Sequence, residues 1–314
     1  MQVFRGIPFH SSGPCALTIG NFDGLHTGHR TMLARLRQEA QRRSLPMAVM
    51  TFEPHPRELF TPESAPARLT SLREKLELLR DAGVDRVYVC HFTRKLASLA
   101  ADTFAADILA TQLQARYVLI GDDFRFGKGR SGNVDSLTAA SQSLGFEVDA
   151  MHSVTVEGMR VSSTAVRDAL AAGKIELANT LLGRPYSISG RVVHGQKLGR
   201  QLGFPTANIQ VKHNRPPLTG IFAVEFHGIG EPRLGAASLG IRPTVISNGQ
   251  MALEVNVLDF EGDLYGRHVR VDFLHKLRDE AKYPDLETLK AQIGADVEAI
   301  RRWFGERISS PRSA

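Results

Sequence analysis

The sequence has few cysteines, the residues that stabilise small folds through disulfide bonds or a bound metal. Cysteine occurs twice in 314 residues, at Cys15 and Cys90, which is too few for a disulfide framework or a multi-cysteine zinc site. Both lie in or beside apolar, strand-like runs, so we expect buried, reduced thiols. No apolar run approaches the ~18 residues of a membrane-spanning helix, and no charged start followed by a long apolar core opens the chain. We therefore expect a cytoplasmic protein without a membrane segment.

The sequence also lacks a strong excess of one charge. Lys and Arg number 39 against 33 Asp and Glu, a formal charge of +6, and the basic residues are dispersed. Such a balance suits phosphorylated small molecules as well as nucleic acids. A single-stranded nucleic acid needs aromatic residues interleaved with clustered Lys and Arg, and the strand-like runs of the second half lack them. We therefore expect small-molecule substrates and no nucleic acid as partner, with a basic RNA-binding barrel protein as the competing interpretation.

Two parts of the chain differ in their hydrophobic periodicity. From residue 16 to about 150, strand-like and helix-like segments alternate, which predicts an α/β fold with a parallel sheet and helices on both faces. From about residue 184, short alternating runs separated by glycine predict a small antiparallel β-barrel. An apolar stripe from Asp285 to Phe304 predicts a terminal helix packed on the barrel. The expected domains are residues 1–183 and 184–308.

The most informative segment is Gly20 to His29, between a short apolar run and the first amphipathic helix. Glycine lets the backbone approach an anion closely, and a helix N-terminus presents N–H groups and a positive dipole end to phosphate. His26 and His29 can donate hydrogen bonds to a phosphate whose charge grows during a reaction. A bare His-x-Gly-His also occurs by chance in solvated loops. The strand before it, the helix after it and the Phe-Asp-Gly lead-in favour the phosphate site.

A second turn is expected at the same edge of the sheet. Asp123 follows the strand candidate at residues 117–120, and parallel sheets bind ligands at the carboxyl ends of their strands. Because the turn from Gly20 to His29 also follows a strand, Asp123 is a candidate ligand contact.

The segment from Val161 to Arg167 has two interpretations. Ser162 or Ser163 suits the N-cap of a helix that begins at Thr164, and from this fragment alone a capping serine and a surface arginine are the better interpretation. The alternative is a second phosphate clamp, made by hydroxyl and N–H groups at the helix start and by Arg167 one turn further.

The second half carries another set of polar residues. Gly195, Lys197 and Arg200 lie in a loop that suits a triphosphate, although the Gly-Lys-Ser/Thr ending of a Walker A motif is absent. Thr206 and Asn208 are two residues apart, so on an extended chain they face the same way. Their neutral oxygens can both ligate Mg²⁺ when phosphates supply the charge. Alone, Pro-Thr-x-Asn is more often a turn with an Asx hydrogen bond.

Glu254 is the third polar feature of this half. Leu253, Val255 and Val257 alternate on one face of a predicted strand, so Glu254 and Asn256 point to the other. By pattern alone an ordinary solvent-facing glutamate is the better interpretation. The alternative is a general base on a rigid strand that accepts the proton of a substrate hydroxyl.

These motifs resemble those of a known family. Gly-x-Phe-Asp-Gly-x-His-x-Gly-His, beginning at Gly20, resembles the signature of the FAD synthetase branch of the nucleotidyltransferases. Leu-Gly-Phe-Pro-Thr-Ala-Asn, ending at Asn208, and Lys-Leu-Arg-Asp-Glu at 276–280 resemble the riboflavin kinase domain. The chain is similar to the bacterial bifunctional riboflavin kinase/FAD synthetases over residues 14–306. It departs from them at Asn256, where the family often has His.

The resemblance implies two folds and two reactions. The first domain would be a Rossmann-like nucleotidyltransferase domain, and the barrel would be a riboflavin kinase domain. In the barrel, the 5′-hydroxyl of riboflavin would attack the γ-phosphorus of ATP to give FMN. In the sheet domain, the phosphate of FMN would attack the α-phosphorus of a second ATP to give FAD and pyrophosphate. An adenylyltransferase for another phosphate ester, with a barrel that only binds, is the alternative.

The resemblance also implies roles for individual residues. It implies catalytic roles for His26, His29 and Glu254, and Mg²⁺ as the cofactor, held by Thr206 and Asn208. Contacts to ATP or its phosphates are implied for residues of the two turns, of the segment from Val161 to Arg167 and of the loop, namely Gly20, Phe22, Asp23, Gly24, Asp123, Ser162, Thr164, Arg167, Gly195, Lys197 and Arg200. A flavin contact is implied for Arg278. We expect a weak homo-oligomer at most.

Overall fold

The chain forms two compact units. The structure, a computed structural model, describes residues 1–8, 13–195, 198–211, 216–241 and 251–309. One unit comprises the described parts of residues 1–66 and 70–163, and the other comprises residues 67–69 and the described residues from Thr164 onward. A division by compactness does not assign functions to segments, so the predicted domain boundary at 183/184 stays a prediction.

Six parallel strands form the sheet of the first unit. They are β1 (Gln2–Arg5), β2 (Cys15–Ile19), β3 (Met47–Glu53), β4 (Arg86–His91), β5 (Ala115–Gly121) and β6 (Glu147–Met151). Their order is β1-β4-β3-β2-β5-β6, and every neighbouring pair is parallel. The chain runs outward from β2 to β3 and β4 on one side, whereas β5 and β6 lie on the other. The strand order therefore reverses between β2 and β5, and open α/β sheets bind ligands at the carboxyl ends of the strands at such a switch point.

Helices cover both faces of this sheet. They are α1 (Thr27–Arg42), α2 (Pro56–Phe60), α3 (Leu72–Asp81), α4 (Arg94–Ala97), α5 (Ala101–Thr103) and α6 (Val134–Leu144), with a π-helix at Phe104–Gln112 and 3-10 turns at Pro62–Ser64 and Lys128–Arg130. Successive β2 residues face opposite cores: Leu17 packs in a cluster with Leu137 of α6, and Ala16 packs in another with Leu36 of α1 and Leu79 of α3. The predicted α/β architecture is confirmed.

One helical segment of the first unit changes its pitch. The segment from Ala101 to Leu113 is α-helical for three residues and then π-helical. Its buried residues Phe104, Ile108 and Leu113 recur at intervals of four and five, which is wider than the 3.6-residue turn of an α-helix. The i to i+5 bonds of a π-helix widen the turn and keep these side chains on one face.

Six antiparallel strands close the predicted barrel in the second unit. A short hairpin of the first unit, β7 (Thr155–Val156) and β8 (Met159–Arg160), precedes them in the chain. The barrel strands are β9 (Tyr186–Val193), β10 (Ala207–Ile209), β11 (Gly220–His227), β12 (Arg233–Ile241), β13 (Met251–Val257) and β14 (His268–Arg278). Their order is β10-β13-β12-β11-β14-β9. The helices are α7 (Ser163–Ala171), α8 (Ile175–Leu182), α9 (Leu198–Gln201) and α10 (Leu286–Ser309).

The apolar stripe of the terminal helix α10 packs on the barrel in one half and lines a cavity in the other. Its second half packs on the barrel through three residues, Val297, Ile300 and Phe304. Its first half does not: Leu286 is 53% exposed and lines a cavity together with Leu289. The predicted terminal helix on the barrel is confirmed, and the apolar residues of its first half form a cavity wall.

The two cysteines are buried in strands, as expected. Cys15 and Cys90 are buried and free, and burial raises their pKa values to about 11 and about 12. Across the described ranges, no helix is both long enough and apolar enough to cross a membrane.

Candidate active sites

The turn from Gly20 to His29 leads from β2 into α1. Phe22 and Leu25 adopt left-handed backbone conformations with φ of 47° and 41°, which are strained for residues other than glycine and cluster at functional turns. Phe22 is nevertheless buried, and its ring centroid lies 4.9 Å from that of His29. His26 is the N-cap of α1. The turn is therefore a tightly packed element rather than a solvated loop.

The two histidines of the turn lie face to face. Their ring centroids are 3.7 Å apart and their planes differ by 14°. His26 Nδ1 accepts a hydrogen bond from the His29 N–H at 3.3 Å, so the proton of a neutral His26 ring lies on Nε2. His29 Nδ1 is buried and has no hydrogen-bond partner within the described part of the chain. Burial, with the nearby His26 and Lys75, holds the pKa of His29 well below its usual 6.5.

A buried lysine is linked to this turn through a threonine. Lys75 of α3 is 1% exposed, and its Nζ lies 3.5 Å from Thr51 Oγ1. Thr51 Oγ1 in turn donates to the carbonyl of Asn21 at 3.2 Å. Lys75 was not among the residues predicted from the sequence; the available signal was its spacing of three residues from Leu72, which puts both on one face of α3.

Asp23 organises the turn through its carboxylate. The side chain is buried, and Oδ1 accepts hydrogen bonds from the Thr70 N–H at 3.0 Å and the Thr70 hydroxyl at 3.1 Å. Thr70 Oγ1 also accepts from the Gly24 N–H at 3.1 Å. On the other side, the hydroxyl of Ser163 donates to the Asp23 carbonyl at 2.9 Å. A direct contact of Asp23 with phosphate stays a prediction.

The other predicted phosphate ligands of the first half are spread over several elements. Asp123 follows β5 and its Oδ2 accepts from Arg160 at 2.7 Å. Ser162 immediately precedes α7, which begins one residue earlier than predicted. Thr164 and Arg167 lie on α7 and belong to the second unit, where Arg167 Nε donates to the Ala67 carbonyl at 2.6 Å. Their roles toward ATP stay predictions.

The first unit also contains an aromatic cavity that the sequence analysis missed. Its volume is about 160 Å³, and its lining includes five phenylalanines, Phe52, Phe92, Phe104, Phe124 and Phe126. The rings of Phe124 and Phe126 stack with centroids 5.5 Å apart. Four separate chain segments contribute these rings, so no local pattern reveals the cavity; the Phe-x-Phe after β5 was the one visible sign.

In the barrel, β10 and β13 bring three predicted residues together. Asn208 of β10 is paired in register with Glu254 of β13. The Thr206 hydroxyl donates to Glu254 Oε2 at 3.4 Å. A Cβ atom on Gly195 would lie 2.4 Å from the side chain of Asn208, so the loop approaches this group closely only because residue 195 is glycine. These four residues form one polar cluster.

Two cavities adjoin this cluster. The larger, of about 630 Å³, is lined by Glu254 and by apolar residues such as Phe204 and Leu289. The smaller, of about 470 Å³, is lined by Arg200 and Tyr265 among others. Thr206 lines both. The barrel therefore has room for a large apolar ring system on one side of Thr206 and for a second ligand on the other.

Arg278 lines the larger cavity with its guanidinium already engaged. Its Nε and Nη2 donate to Asp296 at 2.9 and 2.5 Å, and Nη1 donates to the Asp279 carbonyl at 2.9 Å. The hydrogen bonds to Asp296 raise the pKa of Arg278. The predicted flavin contact of Arg278 stays a prediction. Lys197, predicted to bind phosphate, lies outside the described residues.

Comparison with known proteins assigns both halves of the chain. Residues 9–165 match the FAD synthetase family, and residues 182–304 match the riboflavin kinase family. The bifunctional riboflavin kinase/FMN adenylyltransferase of Escherichia coli K12 is 48% identical over 309 residues, which cover 97% of this chain and 98% of that protein. The chain belongs to the bifunctional riboflavin kinase/FMN adenylyltransferases. The relative from Pseudomonas fluorescens is 50% identical over 96% of this chain and 97% of that protein.

As a member of this family, the chain carries out two ATP-dependent steps of flavin cofactor biosynthesis. It phosphorylates riboflavin to FMN and adenylylates FMN to FAD. The riboflavin kinase match over the barrel argues against the alternative in which the barrel only binds. A solved structure described as a macrolide-efflux protein from Streptococcus pneumoniae has the same fold, with a TM-score of 0.83 at 29% identity over 96% of this chain and 98% of that one.

Proposed function

We propose that the cluster of Thr206, Asn208 and Glu254 is the riboflavin kinase centre and that His26 and His29 serve adenylyl transfer alone. The observation that carries the first assignment is the register of Asn208 with Glu254, beside a threonine that lines two cavities. The larger, mostly apolar cavity would take the ring system of riboflavin, and the smaller would take ATP.

Glu254 would act as the general base of the kinase step. A primary alcohol is a poor nucleophile until its proton has an acceptor. The riboflavin 5′-oxygen would form a bond to the γ-phosphorus while the bond from that phosphorus to the β,γ-bridging oxygen breaks, and Glu254 would take the hydroxyl proton. FMN and ADP are then the products. The rigid pairing of β13 with β10 supports this role, because it holds the carboxylate beside the phosphate site.

The same cluster fits a magnesium ion. Within the described residues, no group of three or more His, Cys, Asp or Glu could hold a metal, so a cation would rely on neutral protein oxygens and on the substrate. Mg²⁺ suits such a site, because it keeps several waters and takes few protein ligands beside substrate phosphates. Thr206 and Asn208 would supply those ligands, with Gly195 directly against Asn208. When bound, Mg²⁺ neutralises phosphate charge.

Adenylyl transfer needs no side-chain base, because the FMN phosphate is already an anion. It would attack the α-phosphorus of ATP, and pyrophosphate would leave. His26 and His29 at the start of α1 would donate hydrogen bonds to the phosphate oxygens on which charge develops. Ser162, Thr164 and Arg167 would hold the departing phosphates.

The aromatic cavity of the first unit would hold the flavin ring of FMN. Phe104, Phe124 and Phe126 offer flat apolar faces, on which a planar ring can stack. Phe124 and Phe126 follow β5, at the switch point of the sheet that the histidine turn after β2 also adjoins.

The metal assignment has a direct test in Thr206→Ala. We expect this variant to need about tenfold more free Mg²⁺ for half-maximal riboflavin phosphorylation, because one ligand is lost. Adenylylation of added FMN by the same preparation is the control and should be unchanged. An unaltered Mg²⁺ requirement for the kinase step would remove Thr206 from the metal site.

Three predictions from the sequence, on location and on binding partners, stay predictions. They are a cytoplasmic location, the absence of a nucleic-acid partner and at most weak self-association. Sedimentation velocity over a range of protein concentrations, with and without RNA at physiological ionic strength, tests the last two.

A further inference from the structure

A hydrogen bond joins β13 to the residue before Thr206. Asn256 Nδ2 donates to the carbonyl oxygen of Pro205 at 2.8 Å. A carbonyl oxygen only accepts, so the amide must present its nitrogen here. The bond connects positions 51 residues apart in the chain.

The place of this bond in the barrel gives it a specific effect. β10 begins at Ala207, whose register partner is Val255, so Pro205 and Thr206 precede the strand ladder. The carbonyl of Pro205 and the N–H of Thr206 belong to one planar peptide group. By holding one end of that plane, Asn256 restricts the rotation that would turn Thr206 away.

Asn256 also lies on the cavity that holds the kinase chemistry. It is two residues beyond Glu254, so both side chains leave the same face of β13, and both line the larger cavity with Thr206. Thr206 Oγ1 is within 3.4 Å of Glu254 Oε2. The peptide that Asn256 holds is therefore the one that sets the distance between the two groups.

We propose that Asn256 is a positioning residue of the riboflavin kinase step, which holds the Pro205–Thr206 peptide so that the Thr206 hydroxyl stays directed at Glu254 and at the ATP phosphates. This inference rests on the proposed roles of Thr206 and Glu254. It predicts a loss in the use of Mg·ATP that depends on whether the side chain at position 256 carries a hydrogen-bond donor.

Three variants separate the donor from the shape of the side chain. Asn256→Leu keeps the branching at Cγ and the number of non-hydrogen atoms, and it removes the donor. Asn256→Asp keeps the shape, and its carboxylate cannot donate to a carbonyl. Asn256→His restores a donor, because imidazole Nδ1 is at the same position along the side chain as the asparagine Nδ2.

The measurements are steady-state kinetics of the full-length chain and amide hydrogen exchange of the segment around Thr206. We expect the Leu and Asp variants to lose about tenfold in kcat/KM for Mg·ATP, as for one hydrogen bond at a reacting centre. Exchange of the β10 amides, which follow the held peptide directly, should become faster in both. The His variant should recover both properties, and FMN adenylylation should be unchanged in all three.

Thr206→Ala, measured in parallel, distinguishes two kinds of failure. If it impairs the use of Mg·ATP while the Leu and Asp variants behave like the parent, Asn256 has no positioning role. Failure of the His variant to recover either property would also overturn the proposal, because the effect would then come from packing. If Thr206→Ala itself has no effect, the proposed metal site is at fault.

Discussion

The imidazoles of His26 and His29 are stacked at 3.7 Å, and the backbone of the second histidine donates to the ring of the first. A second positive charge so close to the first would be strongly unfavourable. Burial of His29 also disfavours its protonation. His29 is therefore held neutral at the start of α1, which makes the first unit sensitive to acid.

The first prediction concerns the pH dependence of stability. The pKa of His29 is below 6.5 in the folded chain and about 6.5 when unfolded, so below pH 6.5 the unfolded state binds a proton that the folded state does not. Stability from this group is present above pH 6.5 and is lost as the pH falls. The free energy of unfolding would be measured in urea at pH 7.5 and 5.5, from the transition of the first unit. Its decrease between the two pH values should be smaller in His29→Gln than in the parent, by up to about 1 kcal/mol. An equal loss in both would contradict the buried neutral histidine.

The second prediction concerns Lys75, whose ammonium lies behind the histidine turn. Lys75→Met keeps the length of the side chain and removes the charge that lowers the pKa of His29. We expect the His29 pKa to rise toward 6.5 in an NMR titration, and FMN adenylylation to fall about tenfold or more. Lys95→Met, at an exposed lysine of the same unit, is the matched control. If the His29 titration is the same in the parent and both variants, Lys75 does not act on the site.

The third prediction concerns the aromatic cavity. Phe124→Ala removes a partly buried ring that stacks on Phe126, and we expect it to raise the KM for FMN in adenylylation about tenfold, since stacking on an aromatic ring stabilises a bound base by about 1–3 kcal/mol. The KM for riboflavin in the kinase step should not change. Phe4→Ala, which removes a ring stacked on Tyr88 outside the cavity, is the control. Equal effects of the two substitutions on FMN would argue against this cavity as the flavin site.

Features encoded in short segments were predictable from the sequence. Both sheets, the turn from Gly20 to His29 and the start of α7 depend on local periodicity and on capping residues. Alternation along each segment predicted that Thr206 and Asn208 face the same way and that Glu254 faces away from the apolar side of its strand, but it did not predict the register that pairs Asn208 with Glu254.

Features assembled from distant segments were not predictable in the same way. The burial of Lys75 could not be predicted, because an amphipathic pattern does not decide whether a charged residue at the edge of the apolar stripe is buried or exposed. The five phenylalanines of the cavity come from four segments. The hydrogen bond from Asn256 to Pro205 depends on how β10 and β13 align, and β10 is only three residues long. In α10, the same apolar stripe serves a packed interface and a cavity wall, which no period distinguishes.

The separation of the two reactions is the central claim, and one product analysis tests it. The parent, His29→Ala, Glu254→Gln and an equal mixture of the two variants would be supplied with riboflavin, ATP and Mg²⁺, and the flavins would be separated over time. We expect FAD from the parent, FMN alone from His29→Ala, neither product from Glu254→Gln, and FAD from the mixture. Glu254→Gln should still convert added FMN to FAD. Loss of the same half-reaction in both folded variants would contradict two separate sites.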